Sequence, residues 1–409
     1  MKHFIERDIE KDILKWLHSK EIIAIRGPRQ SGKTTLLQKI IFNLKKKISK
    51  KRIHFVSFED DFERDKFEKD PREYFDFFIG EDREKHYFFL DEVQYAKTAG
   101  KLLKLIYDSK ENVKIIITGS STLDINDIGS YLVGRVLFFE LYPFSFGEFL
   151  RAKNERLYAY YMKNKFDYNT KKEVNTLFLD KLNLLLNEYI TFGGYPKVVL
   201  EKKINNKKFL LKNLYLTYIE KDIVKVYGIN YRQKIIDLIK YLASINSAII
   251  NYDAICSQIG LYNKELKQIL SIIEGTYIVK LIHPYHKNLV SELRKNPKSY
   301  FIDTGLRNFI TERFDFSDDE WGKLYENHVL NIFREKKVNF WRTTAKAEVD
   351  FVLDERLPIE VKIHPKITRS LRSFLSTYTP EIAVVANMNL FEKHLIERSK
   401  VFFVPLALI

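Results

Sequence analysis

Cysteine is almost absent from this chain of 409 residues: Cys256 stands alone. A single cysteine cannot form an intramolecular disulfide and gives no spacing for a zinc site. Disulfide frameworks and cysteine-based metal sites are therefore excluded. The scarcity favours a reducing, intracellular setting, and we expect a cytoplasmic protein.

Long apolar runs are also missing. No stretch of about 18 apolar residues occurs, and residues 1–12 alternate charges without the apolar segment of a signal peptide. The sequence thus predicts no secretion signal, no membrane span and no membrane partner. With 45% hydrophobic residues, 30% charged residues and no internal repeat, we expect a soluble globular protein of two or three domains.

Acidic residues are outnumbered: 54 Asp and Glu face 69 Lys and Arg, which leaves a net charge of +15. Such an excess favours a polyanionic partner, with nucleic acid ahead of a membrane surface. Residues 151–230 carry 16 basic and 8 acidic side chains, more than half of the excess. We expect this segment to bind DNA phosphates through Lys202, Lys203, Lys207 and Lys208. A solvated helix face is the alternative.

Between residues 21 and 141, short apolar runs alternate with amphipathic stretches, the pattern of a parallel α/β sheet. Strands are predicted at 21–26, 52–58, 86–90, 113–118 and 136–141. The charged interval 59–85 is expected to hold a surface loop or an exposed helix. Pro143 marks the end of this domain.

The remaining chain divides by its periodicity. Residues 146–227 show helical spacing, interrupted at residues 193–196. Residues 231–290 predict three helices and a strand pair, the order of a winged helix. From residue 322 onward we predict helix, three strands, helix, strand, helix and a last strand, which make a second α/β domain.

A glycine-rich segment follows the first predicted strand. Residues 27–34 fit the phosphate-binding loop pattern Gly-x-x-x-x-Gly-Lys-Thr between a strand and a helix. Its backbone amides can surround a β-phosphate, Lys33 can neutralise the β and γ oxygens, and the Thr34 hydroxyl can ligate Mg²⁺. We predict an ATP site at Gly27, Gly32, Lys33, Thr34 and Thr35. A plain glycine turn is the alternative.

An apolar strand that ends in two acidic residues follows later in the chain. Acidic residues at the carboxyl end of a buried parallel strand lie where α/β sheets bind ligands. We predict that Asp91 holds Mg²⁺ and that Glu92 polarises the attacking water. The alternative is a solvated turn.

Further motifs accompany the phosphate loop. They are Leu90-Asp91-Glu92-Val93-Gln94, Ile117-Thr118-Gly119-Ser120-Ser121, Leu132-Val133-Gly134-Arg135, Leu141-Tyr142-Pro143-Phe144-Ser145-Phe146, Gly193-Gly194-Tyr195-Pro196 and Tyr300-Phe301-Ile302-Asp303-Thr304-Gly305. Together they resemble the AAA-plus ATPases of the additional-strand type, and more closely a prokaryotic group with a C-terminal domain fused behind the ATPase. The resemblance implies ATP hydrolysis, with Thr118 or Ser120 sensing the γ-phosphate. A helix cap or turn is an equal alternative for these two residues.

Two more residues gain roles from the resemblance. Arg135 follows a glycine and is the arginine-finger candidate, acting on the nucleotide of a neighbouring subunit in a homo-oligomer. A surface arginine is the alternative. Pro196 ends a segment similar to the Gly-x-Pro module by which lid domains contact nucleotide, and a helix-breaking turn is the alternative.

The helix predicted at 263–274 would be the recognition helix of the winged helix, with Lys264 and Lys267 exposed and an apolar side packed inward. A protein-packing module is an equal alternative, because this part of the chain lacks a clear basic stripe.

Two strands near the C-terminus carry charges at alternate positions. Since side chains alternate between faces, Glu348 and Asp350 share one face, and Glu360 and Lys362 share one face of the next strand. If the hairpin pairs in register, these carboxylates and the ammonium converge on a single patch.

Such a trio suits phosphodiester hydrolysis. Asp350 and Glu360 would bind Mg²⁺ or Mn²⁺, while Lys362 would orient the nucleophile and offset developing charge. Glu326, on the preceding amphipathic helix, is predicted to complete the site as a further metal ligand. The order of elements resembles the restriction-endonuclease-like superfamily, which includes Holliday junction resolvases. The alternative is a charge network on a solvated sheet face.

The predicted architecture is therefore α/β with four parts. Residues 1–145 form an AAA-plus ATPase core with a parallel sheet, 146–230 a helical lid, 231–290 a winged helix and 291–409 a restriction-endonuclease-like α/β domain. We predict an ATPase that binds DNA and is also a metal-dependent deoxyribonuclease acting on branched or structured DNA. The competing hypothesis is an ATP-dependent switch or scaffold whose C-terminal domain binds without cleaving.

Overall fold

The computed structural model describes residues 4–120, 128–167, 174–219, 232–285 and 295–409. It contains two compact units, Met1–Phe144 with Gly275–Tyr277 and Ser145–Glu274 with Ile278–Ile409. The domain boundaries predicted at 230 and 290 lie outside the described residues and stay predictions. Within the described ranges, no helix has the length and apolar character needed to cross a membrane.

A five-stranded parallel sheet forms the first unit. Its strands are β1 (Ile22–Arg26), β2 (Ile53–Ser57), β3 (His86–Asp91), β4 (Val113–Gly119) and β5 (Val136–Glu140). They lie in the order β2-β3-β4-β1-β5, so β4 separates the strand before the glycine loop from the strand that ends in Asp91. The five predicted strands are confirmed.

Helices pack on both faces of this sheet. They are α1 (Glu10–Lys15), α2 (Lys33–Leu44), α3 (Asp61–Lys69), α4 (Pro71–Ile79) and α5 (Ala99–Ser109). Ile23 and Ile25 pack in one core cluster with α1 and α2, while Ile22 and Ala24 pack in another with α3, α4 and α5. Because both faces are covered, the strands are continuously apolar rather than alternating.

The charged interval 59–85 forms two helices. Asp60 accepts from the first backbone amides of α3, and Asp70 does the same for α4. Pro71 opens α4, where its missing N–H costs nothing. Of the two predicted alternatives for this interval, the loop is wrong and a helix is confirmed, but both helices bury an apolar side that includes Phe67 and Phe75, so they are not simply exposed.

The second unit begins with five helices in the described residues. They are α6 (Phe146–Lys153), α7 (Glu155–Asn164), α8 (Thr176–Phe192), α9 (Pro196–Leu200) and α10 (Ile204–Tyr218). A capping box of Ser145 and Glu148 begins α6. The predicted interruption at 193–196 is confirmed, because it separates α8 from α9.

Three helices and a strand pair follow. They are α11 (Arg232–Ser244), α12 (Tyr252–Ile259), α13 (Asn263–Gly275), β6 (Val279–Ile282) and β7 (Lys298–Phe301). The two strands are antiparallel. The predicted inward side of α13 is confirmed, since Leu266, Ile269, Leu270 and Ile273 lie in a core shared with α11 and α12.

The last part of the chain forms a mixed six-stranded sheet and three helices. The strands are β8 (Val338–Arg342), β9 (Glu348–Leu353), β10 (Leu357–Val361), β11 (Ile382–Asn387), β12 (Glu392–Ile396) and β13 (Ser399–Pro405). The helices are α14 (Thr304–Ile310), α15 (Asp318–Phe333) and α16 (Arg369–Tyr378). The strand order is β12-β13-β11-β10-β9-β8. The strand β9 is antiparallel to β8 and β10, whereas β10, β11 and β13 are parallel.

The helix predicted after β11 is wrong. This segment forms β12, which pairs antiparallel with β13 through a turn at Glu397 with φ of 53°. The Asn387 side chain accepts the N–H groups of Asn389 (3.0 Å) and Leu390 (2.6 Å). Such local side-chain bonds compete with helix formation, and they start the turn into the hairpin.

Candidate functional site

The glycine loop lies between β1 and α2, as predicted. A Cβ atom on Gly27 would lie 2.1 Å from the Leu141 carbonyl oxygen. Gly32 adopts a left-handed conformation, with φ of 101°, immediately before α2. Both positions therefore require glycine, which keeps the loop amides at a helix N-terminus, where anions bind.

Lys33 and Thr34 begin α2 and contact different groups. The buried Lys33 ammonium donates to two loop carbonyl oxygens at 2.9 and 3.1 Å, one of them on Gly27. The Thr34 hydroxyl donates to Asp91 Oδ2 at 2.7 Å. This hydroxyl and carboxylate are oxygen donors of the kind that Mg²⁺ prefers, so the pair fits a magnesium site. Thr35 is exposed.

A second set of bonds fixes the acidic pair at the end of β3. The buried Thr118 hydroxyl donates to Asp91 Oδ1 and accepts the Glu92 N–H at 3.0 Å. The Gln94 amide donates to the Glu92 carboxylate and to Ser120 Oγ, the latter at 3.1 Å. Burial raises the pKa of Asp91, and the threonine hydroxyls oppose that rise. Thr118 and Ser120 thus belong to one network with both carboxylates.

Two features of this network point to a functional site. Glu92 has a left-handed backbone with φ of 55°, and such strain in a non-glycine residue clusters at functional sites. Ser31 Oγ and Gln94 Oε1 are buried without a hydrogen-bond partner among the described residues. Buried polar atoms of this kind are rare, and they fit a site that a ligand completes.

Arg7 supports the loop, and no signal in the sequence marks it. Its guanidinium donates to the carbonyl oxygens of Ser31 (2.9 Å) and Tyr142 (2.6 Å), and it lies over the Phe144 ring at 4.9 Å. It therefore ties the glycine loop to the segment that follows β5. Because this partner segment is distant in the chain, only the fold shows the connection.

Arg135 lies just before β5, which is parallel to β1. The glycine loop follows the opposite end of β1, about 16 Å away at roughly 3.3 Å per strand residue. Arg135 therefore does not reach nucleotide in its own domain. Its guanidinium donates to Asp108 at 2.9 Å. A role on the nucleotide of a neighbouring subunit stays a prediction.

Pro196 opens α9, at a position that favours proline. The glycines before it have a packing role. Asp303 accepts the Gly194 N–H at 2.7 Å, and a Cβ on Gly193 would lie 2.1 Å from Asp303 Oδ1. The segment 193–196 and the segment 300–305 therefore contact each other at Asp303. Contact between Pro196 and nucleotide stays a prediction.

Asp350 and Lys362 line a cavity of about 580 Å³ in the second unit. The strands β9 and β10 pair with Ile359 opposite Phe351, which brings Glu360 beside Asp350. Lys362 Nζ lies 3.4 Å from Asp350 Oδ2 and 3.3 Å from Glu360 Oε1. The three side chains converge, as the in-register hairpin requires.

These carboxylates are not on a solvated face. Asp350 is 9% exposed and Glu360 is 2% exposed, so the charge network of the predicted alternative is present but its carboxylates are buried rather than solvated. Asp350 Oδ2 also accepts the Val361 N–H (2.8 Å), and the Thr368 hydroxyl donates to Glu360 (2.8 Å). Burial raises the pKa of Glu360. Burial alone would lower the pKa of Lys362, but the two carboxylates outweigh it and raise that pKa.

A second group of charges lines the same cavity. Glu326 Oε1 accepts from Lys298 Nζ (3.2 Å) and from the Tyr300 hydroxyl. Lys298 Nζ also contacts Glu348 Oε1 at 2.6 Å, and Arg342 pairs with Glu348 at 3.3 Å. Burial raises the pKa of Glu326 to about 7, against the opposing charge of Lys298. Lys298 and Tyr300 were not predicted, although their alternate spacing on β7 was readable in the sequence.

One lysine predicted to contact DNA is internal. Lys207 is 3% exposed, and its ammonium contacts Glu188 Oε1 at 2.6 Å. A lysine held in a buried ion pair is not available to a phosphate. The prediction for Lys207 is therefore wrong, while those for Lys202, Lys203 and Lys208 stay open.

The described residues contain no group of three or more His, Cys, Asp or Glu side chains arranged to hold a metal ion. Asp350 and Glu360 nevertheless meet at one cation, the Lys362 ammonium. Mg²⁺ is often held by only one or two carboxylates, with water as its other ligands. The two oxygen donors therefore fit a hard divalent cation such as Mg²⁺ or Mn²⁺.

Comparison with protein families agrees with the geometry of the first unit. Residues 19–150 match an AAA domain. Residues 183–317 and 321–409 match two domains of unknown function, DUF8612 and DUF4143. The chain thus carries an AAA-type ATPase domain, built on the parallel sheet and glycine loop described above.

Three similar proteins are themselves named only as uncharacterized. MJ1637 of Methanocaldococcus jannaschii is 26% identical over 391 residues, 91% of this chain and 80% of the relative. MJ1544 of the same organism is 29% identical, over 85% of this chain and 75% of the relative. A protein of Haemophilus influenzae is 25% identical, over 86% and 84% respectively.

Two solved structures are also similar. PCH-2 of C. elegans has a TM-score of 0.32 and 16% identity, over 52% of this chain and 58% of that one. The signal transduction ATPase PH0952 from Pyrococcus horikoshii has a TM-score of 0.31 and 16% identity, over 82% of this chain. The chain spans 46% of PH0952.

Proposed function

We propose that this protein hydrolyses ATP at the glycine loop and cleaves DNA, with a divalent cation, in the cavity of the second unit. The observation that carries the nuclease half is the meeting of Asp350, Glu360 and Lys362 at a cavity that Asp350 and Lys362 line. The AAA domain and the network around Asp91 support the ATPase half.

In the ATPase half, the loop amides and Lys33 would bind the phosphates of ATP. Lys33 would exchange its loop carbonyl partners for phosphate oxygens. Thr34 and Asp91 would hold Mg²⁺, which when bound neutralises charge on the phosphates. Glu92, positioned by Gln94, would orient the attacking water and accept its proton.

Substitutions separate binding from hydrolysis at this site. Lys33→Ala should weaken ATP binding, whereas Glu92→Gln should keep binding and slow hydrolysis by about 10²-fold or more, because only Glu92 acts on the water. Nucleotide titration and phosphate release measure the two effects. Lys104→Ala, an exposed lysine on α5, is the control. Equal hydrolysis by the wild type and both site variants would contradict the assignment.

In the nuclease half, Asp350 and Glu360 would hold the cation in place of the Lys362 ammonium. When bound, the cation supplies Lewis-acid chemistry for phosphodiester hydrolysis. Lys362, released from the carboxylates, would orient the water nucleophile and stabilise charge that develops on the phosphate. Its contacts of 3.3 and 3.4 Å are long for charge-assisted bonds, which favours such an exchange.

The lysine and the carboxylates should fail in different ways. Asp350→Asn and Glu360→Gln should lose both Mn²⁺ binding and cleavage. Lys362→Ala should keep Mn²⁺ binding and lose about 10²-fold in cleavage rate, because it acts on the transition state. Calorimetry and DNA nicking measure the two properties, with the exposed Lys336→Ala as control. Loss of Mn²⁺ binding in Lys362→Ala would contradict this division of roles.

DNA is proposed as the substrate on the positive charge of residues 151–230 and on the order of elements. The helices α11, α12 and α13 followed by β6 and β7 have the order of a winged helix, a fold that often binds DNA. The order of α15, β8 to β10, α16 and β11 supports a restriction-endonuclease-like domain. A preference for branched DNA rests on analogy with resolvases.

Arg135 precedes the edge strand β5, at the end of the sheet away from the glycine loop. This position supports a homo-oligomer in which Arg135 acts on the nucleotide of a neighbouring subunit.

The switch or scaffold hypothesis draws on one observation: the Lys362 ammonium already neutralises Asp350 and Glu360. A protein of that kind would bind DNA and ATP without a divalent cation in the cavity. Mn²⁺ titration of the wild type therefore separates the two functions before any cleavage assay.

A further inference from the structure

Lys298 is a buried cation that the proposed function does not use. Its side chain is 4% exposed, and its ammonium lies 2.6 Å from Glu348 Oε1 and 3.2 Å from Glu326 Oε1. The ammonium also lies over the Phe340 ring, 5.3 Å from its centre. Tyr300, two residues further on β7 and fully buried, donates to the same oxygen of Glu326. Alternate residues of one strand thus hold the carboxylates in place.

Two neighbouring pairs of carboxylates are thus each bridged by one lysine. Lys298 lies between Glu326 and Glu348, and Lys362 lies between Asp350 and Glu360. The two lysines differ in how firmly they are held, since the Lys362 side chain is 26% exposed and its contacts exceed 3.2 Å. An incoming cation can displace Lys362 more readily than Lys298, whose side chain is only 4% exposed.

Burying a lysine is unfavourable unless close opposite charges offset its lost hydration. Two carboxylates beside one another without a cation would repel each other and would attract a divalent ion. Lys298 satisfies both carboxylates of its pair from within the protein. The position between Glu326 and Glu348 is therefore already filled by a cation.

We propose that Lys298 is a positioning residue that takes the place of a second divalent cation. It neutralises Glu326 and Glu348, so the cavity binds one divalent ion, at Asp350 and Glu360. Glu326 then acts through Lys298 rather than as a metal ligand. This inference rests on the proposed nuclease site, but its test counts ions and does not depend on cleavage.

The test is calorimetric titration of the full chain with Mn²⁺, without DNA or nucleotide. The wild type should bind one ion in the cavity, and Asp350→Asn should lose it. Lys298→Met should bind two ions in the cavity. The ion at Asp350 and Glu360 should bind about tenfold more tightly than in the wild type, because a nearby positive charge is gone. Lys298→Arg should return to one ion. The matched control is Lys323→Met, an exposed lysine that lines the same cavity beside Asp319 and should leave one ion.

Folding is checked by thermal unfolding in the same series. Without Mn²⁺, Lys298→Met should have a lower melting temperature than the wild type. Mn²⁺ should raise the melting temperature of the variant to that of the wild type, because ligand binding stabilises the folded state. Two ions that Asp350→Asn loses together would place both in the wild-type cavity and overturn the inference, as would a single cavity ion of unchanged affinity in Lys298→Met. One ion in a wild type that does not cleave DNA would reject the nuclease proposal and leave this inference standing. Cleavage by a wild type that binds two ions would do the reverse.

Discussion

At the scale of single residues, the acidic pair at the end of β3 depends on neighbouring polar side chains. Gln94 donates to the Glu92 carboxylate and is itself anchored on Ser120 Oγ. Glu92 has a left-handed backbone, and its carboxylate accepts the hydrogen bond from Gln94. We infer that Gln94 fixes the orientation of the Glu92 carboxylate toward the attacking water.

Gln94→Leu keeps the size of the side chain and removes its amide. We expect kcat for ATP hydrolysis to fall about tenfold with KM unchanged, because the Gln94 N–H group that is lost orients the base. Ser120→Ala, which removes only the anchor, should cost less. A rise in KM at constant kcat would show instead that Gln94 contacts nucleotide.

The residues that could be predicted share one property: their partners are close in sequence or fixed by strand period. Lys33 and Thr34 follow from a local pattern, and Asp350, Glu360 and Lys362 follow from alternation in one hairpin. Arg7 contacts Tyr142, and Lys298 contacts Glu326 and Glu348. Those partners are separated from them by turns and helices whose packing the sequence does not reveal.

At the scale of elements, the central strands were predictable because a strand covered on both faces is continuously apolar. The segment after β11 was not, because its outcome depends on the Asn387 side chain and on β13. The motifs at residues 193–196 and 300–305 are far apart in the sequence, so the sequence does not predict that they contact each other. In the fold they form one junction around Asp303.

That junction leads to a prediction about two glycines. A Cβ on Gly305 would lie 2.1 Å from the Phe192 backbone, so Gly305→Ala should destabilise the protein by about 3 kcal/mol or more. Gly322, inside α15, has nothing within 4 Å of its Cβ position, and Gly322→Ala should stabilise by about 0.5–1 kcal/mol. Urea unfolding followed by circular dichroism compares them. Similar shifts in both variants would contradict a steric role for Gly305.

At the scale of the whole molecule, the chain carries two chemically distinct candidate sites, each inside one compact unit. The first unit holds the glycine loop and the Asp91 network, and the second holds the carboxylate cavity. The net charge of +15 predicts a polyanionic partner without saying where it binds. The internal ion pair of Lys207 shows why a count of basic residues overestimates the binding surface.

Because the two sites use different residues, their activities should be separable by substitution. The wild type should do both, and a change in the cavity should leave the glycine loop intact. Asp350→Asn is the most informative change, since it keeps the size of the side chain and removes the charge that would hold the cation.

The most direct measurement follows phosphate release and DNA cleavage in the same tubes, with linear, single-stranded and four-way-junction DNA, ATP and Mg²⁺ or Mn²⁺. We expect the wild type to hydrolyse ATP and to cleave at least one form of DNA. Asp350→Asn should hydrolyse ATP at the wild-type rate and cleave none. Failure of an ATP-hydrolysing wild type to cleave any DNA with either cation, or equal cleavage by Asp350→Asn, would contradict the account.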